Sequence, residues 1–347
     1  MDAQIAAILA MDGIATGAIY VLIGLGFVLI FAVTRVIYVP FGDIAAFTAL
    51  TLAALEAGHL PGTVGLVAGL ALLATLVEVA GRLRARRLRG LPRVLLLTLV
   101  LPLLPALGAW LLAGRDLGMA GRIALSLALI MPIAPLLDRI VFRPVADASV
   151  LLLLTIAVVL HFALVGLGLL FFGPEGVRTQ ALTDAMFAVG GMSFSVQTLL
   201  IVAAAIVFSG LLFLFFEFTL AGKALRATAA NPTGARLMGI RPATTGTIAY
   251  VLASLLAGIS GILIAPVTTI FYDSGFLIGL KAFVGAIIGA MASYPLTAAG
   301  AIFVGLLESF ASFWSSDFKD AIVFGLLIPV LLWRSLGWRE SEEEAED

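Results

Sequence analysis

The chain is built mainly from long, uninterrupted runs of apolar residues, and these runs decide what it can fold into. A helix needs about 20 such residues to cross a bilayer. The runs are continuous rather than alternating, which excludes a transmembrane β-barrel. Candidate membrane segments are 14–33, 42–57, 62–80, 94–113, 121–137, 150–172, 196–216, 248–270, 276–291, 298–313 and 321–333.

The composition agrees with a membrane protein, since 62% of the residues are hydrophobic and only 12% are charged. Soluble domains carry about 25% charged residues, and water does not tolerate large exposed apolar patches. We therefore expect an all-α, polytopic transmembrane bundle in the lipid bilayer, forming one domain over residues 1–347 with about 8–11 membrane segments. The short runs 42–57 and 276–291 are expected to be half-helices or re-entrant segments.

The orientation is predicted from the basic residues, which favour the cytoplasmic side of a membrane. An even number of candidate segments separates successive basic clusters, so all four clusters fall on one side. The N-terminus is then outside, the acidic tail 340–347 is inside, and the first run has no basic leader of a secretory signal peptide. The loop with Arg115 and Arg122 is the exception, because it falls outside. The clusters are Arg82, Arg84, Arg86, Arg87, Arg89 and Arg93; Arg139 and Arg143; Lys223, Arg226, Arg236 and Arg241; and Arg334 and Arg339.

The longest polar interval, 217–247, joins two candidate segments on the predicted cytoplasmic side. Asn231 is a suitable N-cap, Pro232 suits the first helical turn, and Gly239 suits a helix end. A short helix over about 232–238 is predicted, with Leu237 and Met238 available to a partner.

Ionisable residues within or beside membrane segments are functional candidates, since burying a charge in lipid is costly. Glu78, Asp138 and Asp320 lie near segment ends, where a solvated position is the favoured interpretation. Lys281 either extends its ammonium group to the interface or orders a broken helix that faces a cavity, and Glu308 is its candidate partner.

Pro and Gly interrupt the apolar pattern at 39–43 and again at 266–289. Irregular backbone at membrane depth survives only where it is buried in protein or lines a water-filled cavity. The two regions are expected to converge on a translocation path that includes Gly42, Asp43 and Lys281. The alternative is that Pro and Gly serve helix packing alone; Gly13 and Gly17 have the spacing of such close contacts.

Motifs of enzyme chemistry are missing from the sequence. There is no phosphate-binding loop of the form G-x-x-x-x-G-K-[ST], and we expect no catalytic residue, metal, cofactor or nucleic acid. His161 lies within a membrane segment. Because no second His is near it in sequence, a proton relay is disfavoured.

Four stretches resemble the permease subunits of bacterial ABC importers for branched-chain amino acids. They are the interval 24–43, which ends in a Gly-Asp turn, Phe-Arg-Pro at 142–144, the interval 222–240 and the interval 275–337. The turn before Gly42 differs, since Tyr38, Val39, Pro40 and Phe41 stand where that family usually has Asn, Ala and His. A helical pair over about 82–121 is interpreted as an insertion into the family pattern.

The resemblance implies a multi-pass protein of the bacterial inner membrane, working with two cytoplasmic ATPase subunits, a second permease subunit of the same or a related kind, and an external solute-binding protein. It also implies that the cytoplasmic loop couples the permease to the ATPase. The coupling residues are then Asn231, Pro232, Arg236, Leu237, Met238, Gly239 and Ile240.

Three functions remain open from the sequence. The favoured one is import of branched-chain amino acids or a related small polar solute, powered by separate ATPases. An ion- or proton-driven secondary transporter would need paired acids near the membrane centre, which are scarce here. A non-transporting membrane scaffold would account for the Leu- and Ala-rich stretch 94–137.

Overall fold

The computed structural model describes residues 3–84, 86, 91–112, 114–115, 117–146, 148–189, 192–325, 329 and 332. Some expectations lie outside these residues: Arg87, Arg89, Arg334 and Arg339 of the basic clusters, the acidic tail 340–347, and most of the candidate segment 321–333. A helical stretch begins at 319 and is described as far as 325.

The described residues form an α-helical bundle, as the sequence predicts. Twelve helices are labelled in chain order: α1 (Ala3–Thr34), α2 (Phe41–Glu56), α3 (Thr63–Arg84), α4 (Leu91–Leu112), α5 (Gly118–Val145), α6 (Val150–Phe172), α7 (Val196–Phe218), α8 (Leu220–Ala230), α9 (Pro232–Leu237), α10 (Pro242–Ile264), α11 (Gly275–Ile288) and α12 (Tyr294–Trp314). Within the described ranges, eight of them are long and apolar enough to cross a membrane: α1, α3, α4, α5, α6, α7, α10 and α12.

Two apolar helices are too short to cross the bilayer on their own. With 16 residues in α2 and 14 in α11, they extend about 24 Å and about 21 Å, against a hydrocarbon core of about 30 Å. The prediction of short segments at 42–57 and 276–291 is therefore confirmed. Pro40 directly precedes α2, and a non-helical stretch separates α11 from α10.

Local sequence signals set where several helices begin. A Ser, Thr or Asn side chain accepts a hydrogen bond from a backbone N–H of the first helical turn, which satisfies a group that has no partner within the helix. The capping residues are Ser149, Ser195, Thr219, Asn231 and Ser293.

The loop between α6 and α7 contains the described strands, a two-stranded hairpin of β1 (Met186–Val189) and β2 (Met192–Ser195). The same loop is held to the chain before α11, because Val177 and Ile270 exchange backbone hydrogen bonds of 2.9 Å and Arg178 donates to the carbonyl of Pro266. The loop therefore packs beside the break that precedes the half-helix α11.

Helix α1 is the centre of the bundle and packs against α7, α10, α11 and α12. A Cβ added at Gly13 or Gly17 would lie 2.7 Å from the Cα atom of Leu306 or Ile302, respectively. Increasing numbers in α1 thus meet decreasing numbers in α12, so the two helices run antiparallel. The predicted role of Gly13 and Gly17 in close helix contact is confirmed.

Replacement of Gly305 by Ala is expected to lower the stability of the bundle. The added Cβ would collide with the backbone of Gly13 and Gly17 on α1, and overpacking of this kind costs about 1–3 kcal/mol. Thermal unfolding in detergent measures the change. Gly69→Ala on α3 is the matched control, since an added Cβ there meets no atom within 4 Å; an equal loss in both variants would contradict the packing argument.

Candidate functional site

A short capped helix lies within the polar interval 217–247, as predicted. The Asn231 side chain accepts a hydrogen bond of 2.9 Å from the Gly234 amide, and Pro232 occupies the first turn of α9. The helix ends at Leu237, and Gly239 has a φ of +82°, a conformation that favours glycine and commonly ends helices. The helix is one residue shorter than the predicted 232–238.

The tip of this helix is apolar and exposed. Leu237 and Met238 are 84% and 82% exposed, whereas Ala235 on the opposite side is buried. The backbone around the tip is fixed, since the Ile240 amide donates to the Ala235 carbonyl over 2.9 Å. Two large apolar side chains on a fixed backbone suit contact with another protein.

Helix α8, which leads into α9, is bound to the bundle. Thr245 of α10 donates a hydrogen bond of 3.2 Å to Thr228 of α8. Arg226 donates to the Phe216 carbonyl at the end of α7 and forms an ion pair of 3.1 Å with Glu217. The tip is thus attached to two membrane helices, α7 and α10, and a force applied to it reaches the bundle directly.

The half-helices α2 and α11 meet through their first turns. A Cβ added at Gly42 would collide with the Gly275 carbonyl and lie 2.7 Å from the Gly279 amide nitrogen. The two backbones therefore touch, which only Gly permits at this position. The two interrupted regions thus meet, and the translocation path that they are expected to line stays a prediction.

Asp43 lies in the first turn of α2 and is buried, with 1% of its surface exposed. Its Oδ2 atom is 2.8 Å from Nδ1 of His161 on α6. The other oxygen, Oδ1, has no hydrogen-bond partner among the described residues. The His161 ring stacks on Phe276 of α11 with a centroid distance of 4.8 Å, so three helices meet at this carboxylate.

Lys281 is buried inside the bundle. Its ammonium nitrogen is 2.5 Å from Glu308 and 2.8 Å from Asp320. Tyr20 of α1 donates a further hydrogen bond of 2.6 Å to Glu308. The suggested pairing with Glu308 is confirmed. The contacts of Lys281 that the structure gives are with protein carboxylates, and its place on a translocation path stays a prediction.

The expectation that Asp138 is a solvated segment end is wrong. Asp138 is 6% exposed and forms an ion pair of 2.7 Å with Arg143. The reason is a π-helical turn over Asp138–Phe142, which places residues five apart on one face. Glu78 is also paired, at 3.6 Å from Arg139. Among the described residues, no cluster of three or more His, Cys, Asp or Glu is arranged to hold a metal ion.

The role of His161 is the main feature that the sequence reasoning missed. The search for a second His near it in sequence could not find its partner, because Asp43 is 118 residues away. A signal for this pair was available in the sequence, because Asp43 and His161 are both polar residues in apolar runs. Buried polar side chains need hydrogen-bond partners.

Comparison with known proteins gives a consistent result. A family model described as "Branched-chain amino acid transport system / permease component" matches residues 9–331. The high-affinity branched-chain amino acid transport system permease protein LivH of Escherichia coli K12 is 29% identical over 203 residues, which cover 56% of this chain and 66% of LivH. The corresponding protein BraD of Pseudomonas aeruginosa is 29% identical over 209 residues, covering 58% of this chain and 68% of BraD.

A probable branched-chain amino acid transport permease protein LivH of Methanocaldococcus jannaschii is 28% identical over 187 residues, covering 50% of this chain and 59% of that protein. The matched region spans just under two thirds of the length of the Escherichia coli relative. No solved structure gives a significant match.

Proposed function

Because this chain belongs to the family of branched-chain amino acid transport system permease components, we propose that it is a membrane subunit of an ATP-binding-cassette importer. It admits branched-chain amino acids, or a related small polar solute, to the cytoplasm. ATP is hydrolysed by separate cytoplasmic subunits. A second permease subunit completes the pore, and an external solute-binding protein delivers the solute. The expected location is the bacterial inner membrane.

The observation that carries this proposal is the exposed tip of α9. We assign ATPase coupling to Asn231, Pro232, Arg236, Leu237, Met238, Gly239 and Ile240. The Asn231 cap and Gly239 support a fixed shape, while Leu237 and Met238 offer an apolar anchor of the kind that fills a partner's pocket. Arg236 is also exposed and supplies positive charge at the rim. Closure of the ATPases would push this tip and tilt α7 and α10 with it.

The translocation path is proposed to pass the contact of the half-helices, at Gly42 and Asp43. Discontinuous helices at membrane depth favour such a role, since their ends present polar groups to a passing solute. Lys281 is kept as a path residue on the same proposal. Its ion pairs with Glu308 and Asp320 support a further task, which is to fix α11 against α12 while other parts move.

The proposal is tested by purifying the tagged chain from its host under mild detergent and identifying the associated chains by mass. We expect an ATPase and a second permease chain, and uptake of radiolabelled leucine into vesicles only when ATP and a binding protein are both supplied. Uptake that persists in vesicles containing this chain alone would favour a secondary transporter. Absence of uptake from the fully assembled complex would favour a scaffold.

A further inference from the structure

An apolar cavity lies next to the contact between the half-helices. Its volume is about 190 Å³, and its wall includes Phe27, Val39, Leu154, Val158, Phe276 and Leu280. An apolar cavity of about 150 Å³ holds a benzene molecule. The space is therefore sufficient for a branched hydrocarbon group of four carbons, such as the side chain of leucine or isoleucine.

Phe276 connects this cavity to the buried carboxylate of Asp43. The ring of Phe276 lines the cavity and also stacks on His161. The preceding residue, Gly275, lies directly against Asp43, with its missing Cβ position 2.7 Å from Oδ1. One aromatic ring and one Gly thus separate an apolar compartment from an acidic group.

One oxygen of the Asp43 carboxylate is available to bind a cation. Oδ2 is bound to His161, but the buried Oδ1 has no hydrogen-bond partner among the described residues. A buried acceptor without a partner is costly, and such exceptions commonly have a functional reason. The first turn of α2, where Asp43 lies, favours a negative charge. A carboxylate with one free oxygen is the natural partner of an ammonium group.

We propose that the cavity and Asp43 together form a transient binding site for an α-amino acid with an apolar side chain. The hydrocarbon side chain occupies the cavity. The ammonium group binds Oδ1 of Asp43 once Gly275 and the Phe276 ring move away from the carboxylate. This inference rests on the proposed import function and adds to it a location and a selection rule, in which the cavity limits the size of the solute side chain.

The test compares uptake of leucine and alanine by the complete importer in vesicles. Val158→Phe reduces the volume of the cavity, so the ratio of leucine uptake to alanine uptake is expected to fall about tenfold. This is the low end of the discrimination that one methylene group gives in an apolar pocket. Val159→Phe is the matched control on the same helix, since Val159 is 62% exposed; its ratio should equal that of the unaltered chain. Leu154→Ala enlarges the cavity and should raise uptake of phenylalanine relative to leucine.

Asp43→Asn tests the ammonium contact. Asn keeps the shape and a hydrogen bond to His161 but loses the charge, so uptake of leucine and alanine should fall together by about tenfold. Retained stimulation of ATP hydrolysis by the binding protein shows that this variant is assembled.

The inference is overturned if uptake of an assembled Asp43→Asn variant is unchanged. It is also overturned if Val158→Phe leaves the leucine-to-alanine ratio unchanged and Leu154→Ala leaves the phenylalanine-to-leucine ratio unchanged. Equal changes in Val158→Phe and Val159→Phe would also overturn it, because the effect would then not depend on the cavity. These results are distinct from failure of the proposed function, in which the unaltered complex itself takes up no amino acid.

Discussion

Replacement of Leu237 and Met238 together by Asp is expected to reduce solute uptake about 30-fold, which is the effect of losing about 2 kcal/mol at an interface anchor. The two side chains are 84% and 82% exposed, so the change costs the isolated chain little. In the proposed complex with an ATPase, each Asp would place a charge without a partner in an apolar contact. Uptake and ATP hydrolysis are measured on the same vesicles, and hydrolysis is expected to continue without transport.

The matched control exchanges the two residues, as Leu237→Met with Met238→Leu. The exchange keeps the apolar surface and nearly the same volume, so uptake should stay within about twofold of the unaltered chain. Normal uptake by the double Asp variant would remove the coupling role of α9. Equal loss in the Asp variant and the exchange variant would indicate a fault in assembly rather than in docking.

The short helix α9 was predictable because its signals are local. Asn231, Pro232 and Gly239 lie within nine residues of one another, and each acts on the backbone beside it. The half-helices were predictable for the same reason, since Pro40 and Pro266 stand at the breaks that precede them. Gly279 and Gly285, which were also expected to interrupt the pattern, lie within the continuous helix α11. Local backbone rules are enough for features of this kind.

The partners of the buried charges were less accessible to sequence reasoning. Asp43 and His161 are 118 residues apart. The hydrophobic pattern of a membrane helix does not show which other helix packs against it. Glu308 was found as a partner for Lys281 because few charges lie in that part of the chain. The burial of Asp138 was not predicted, because its ion pair with Arg143 depends on a π-helical turn. An apolar run gives no sign of such a turn.

The orientation of the bundle and the interpretation of 82–121 as an insertion remain predictions. The described part of 82–121 contains one membrane-length helix, α4, followed by the start of α5. Labelling of single cysteines introduced at Leu237 and in the α6–α7 loop, in intact cells, would determine the orientation directly, since the natural chain has no Cys.

Replacement of Lys281 by Met is expected to destabilise the folded protein by about 3 kcal/mol. Removing one member of a buried ion pair costs about 3–5 kcal/mol, and the lower value applies because the Asp320 side chain is 36% exposed. Lys281 itself is only 7% exposed on its side chain. Its loss would leave Glu308 buried as an uncompensated charge beside Tyr20. A lower midpoint of thermal unfolding in detergent measures the effect.

Two further variants separate stability from transport. Lys223→Met removes an exposed Lys of α8 and should change stability by no more than about 0.5 kcal/mol. Lys281→Met combined with Glu308→Gln removes both charges of one pair and keeps an acceptor for the Tyr20 hydroxyl, so it should regain part of the lost stability. If Lys281→Met instead unfolds at the original temperature but fails to transport, Lys281 acts on the solute and not on the bundle. The buried contacts to two carboxylates favour the loss of stability, because an ammonium group bound by both Glu308 and Asp320 fixes α11 against the chain that carries them.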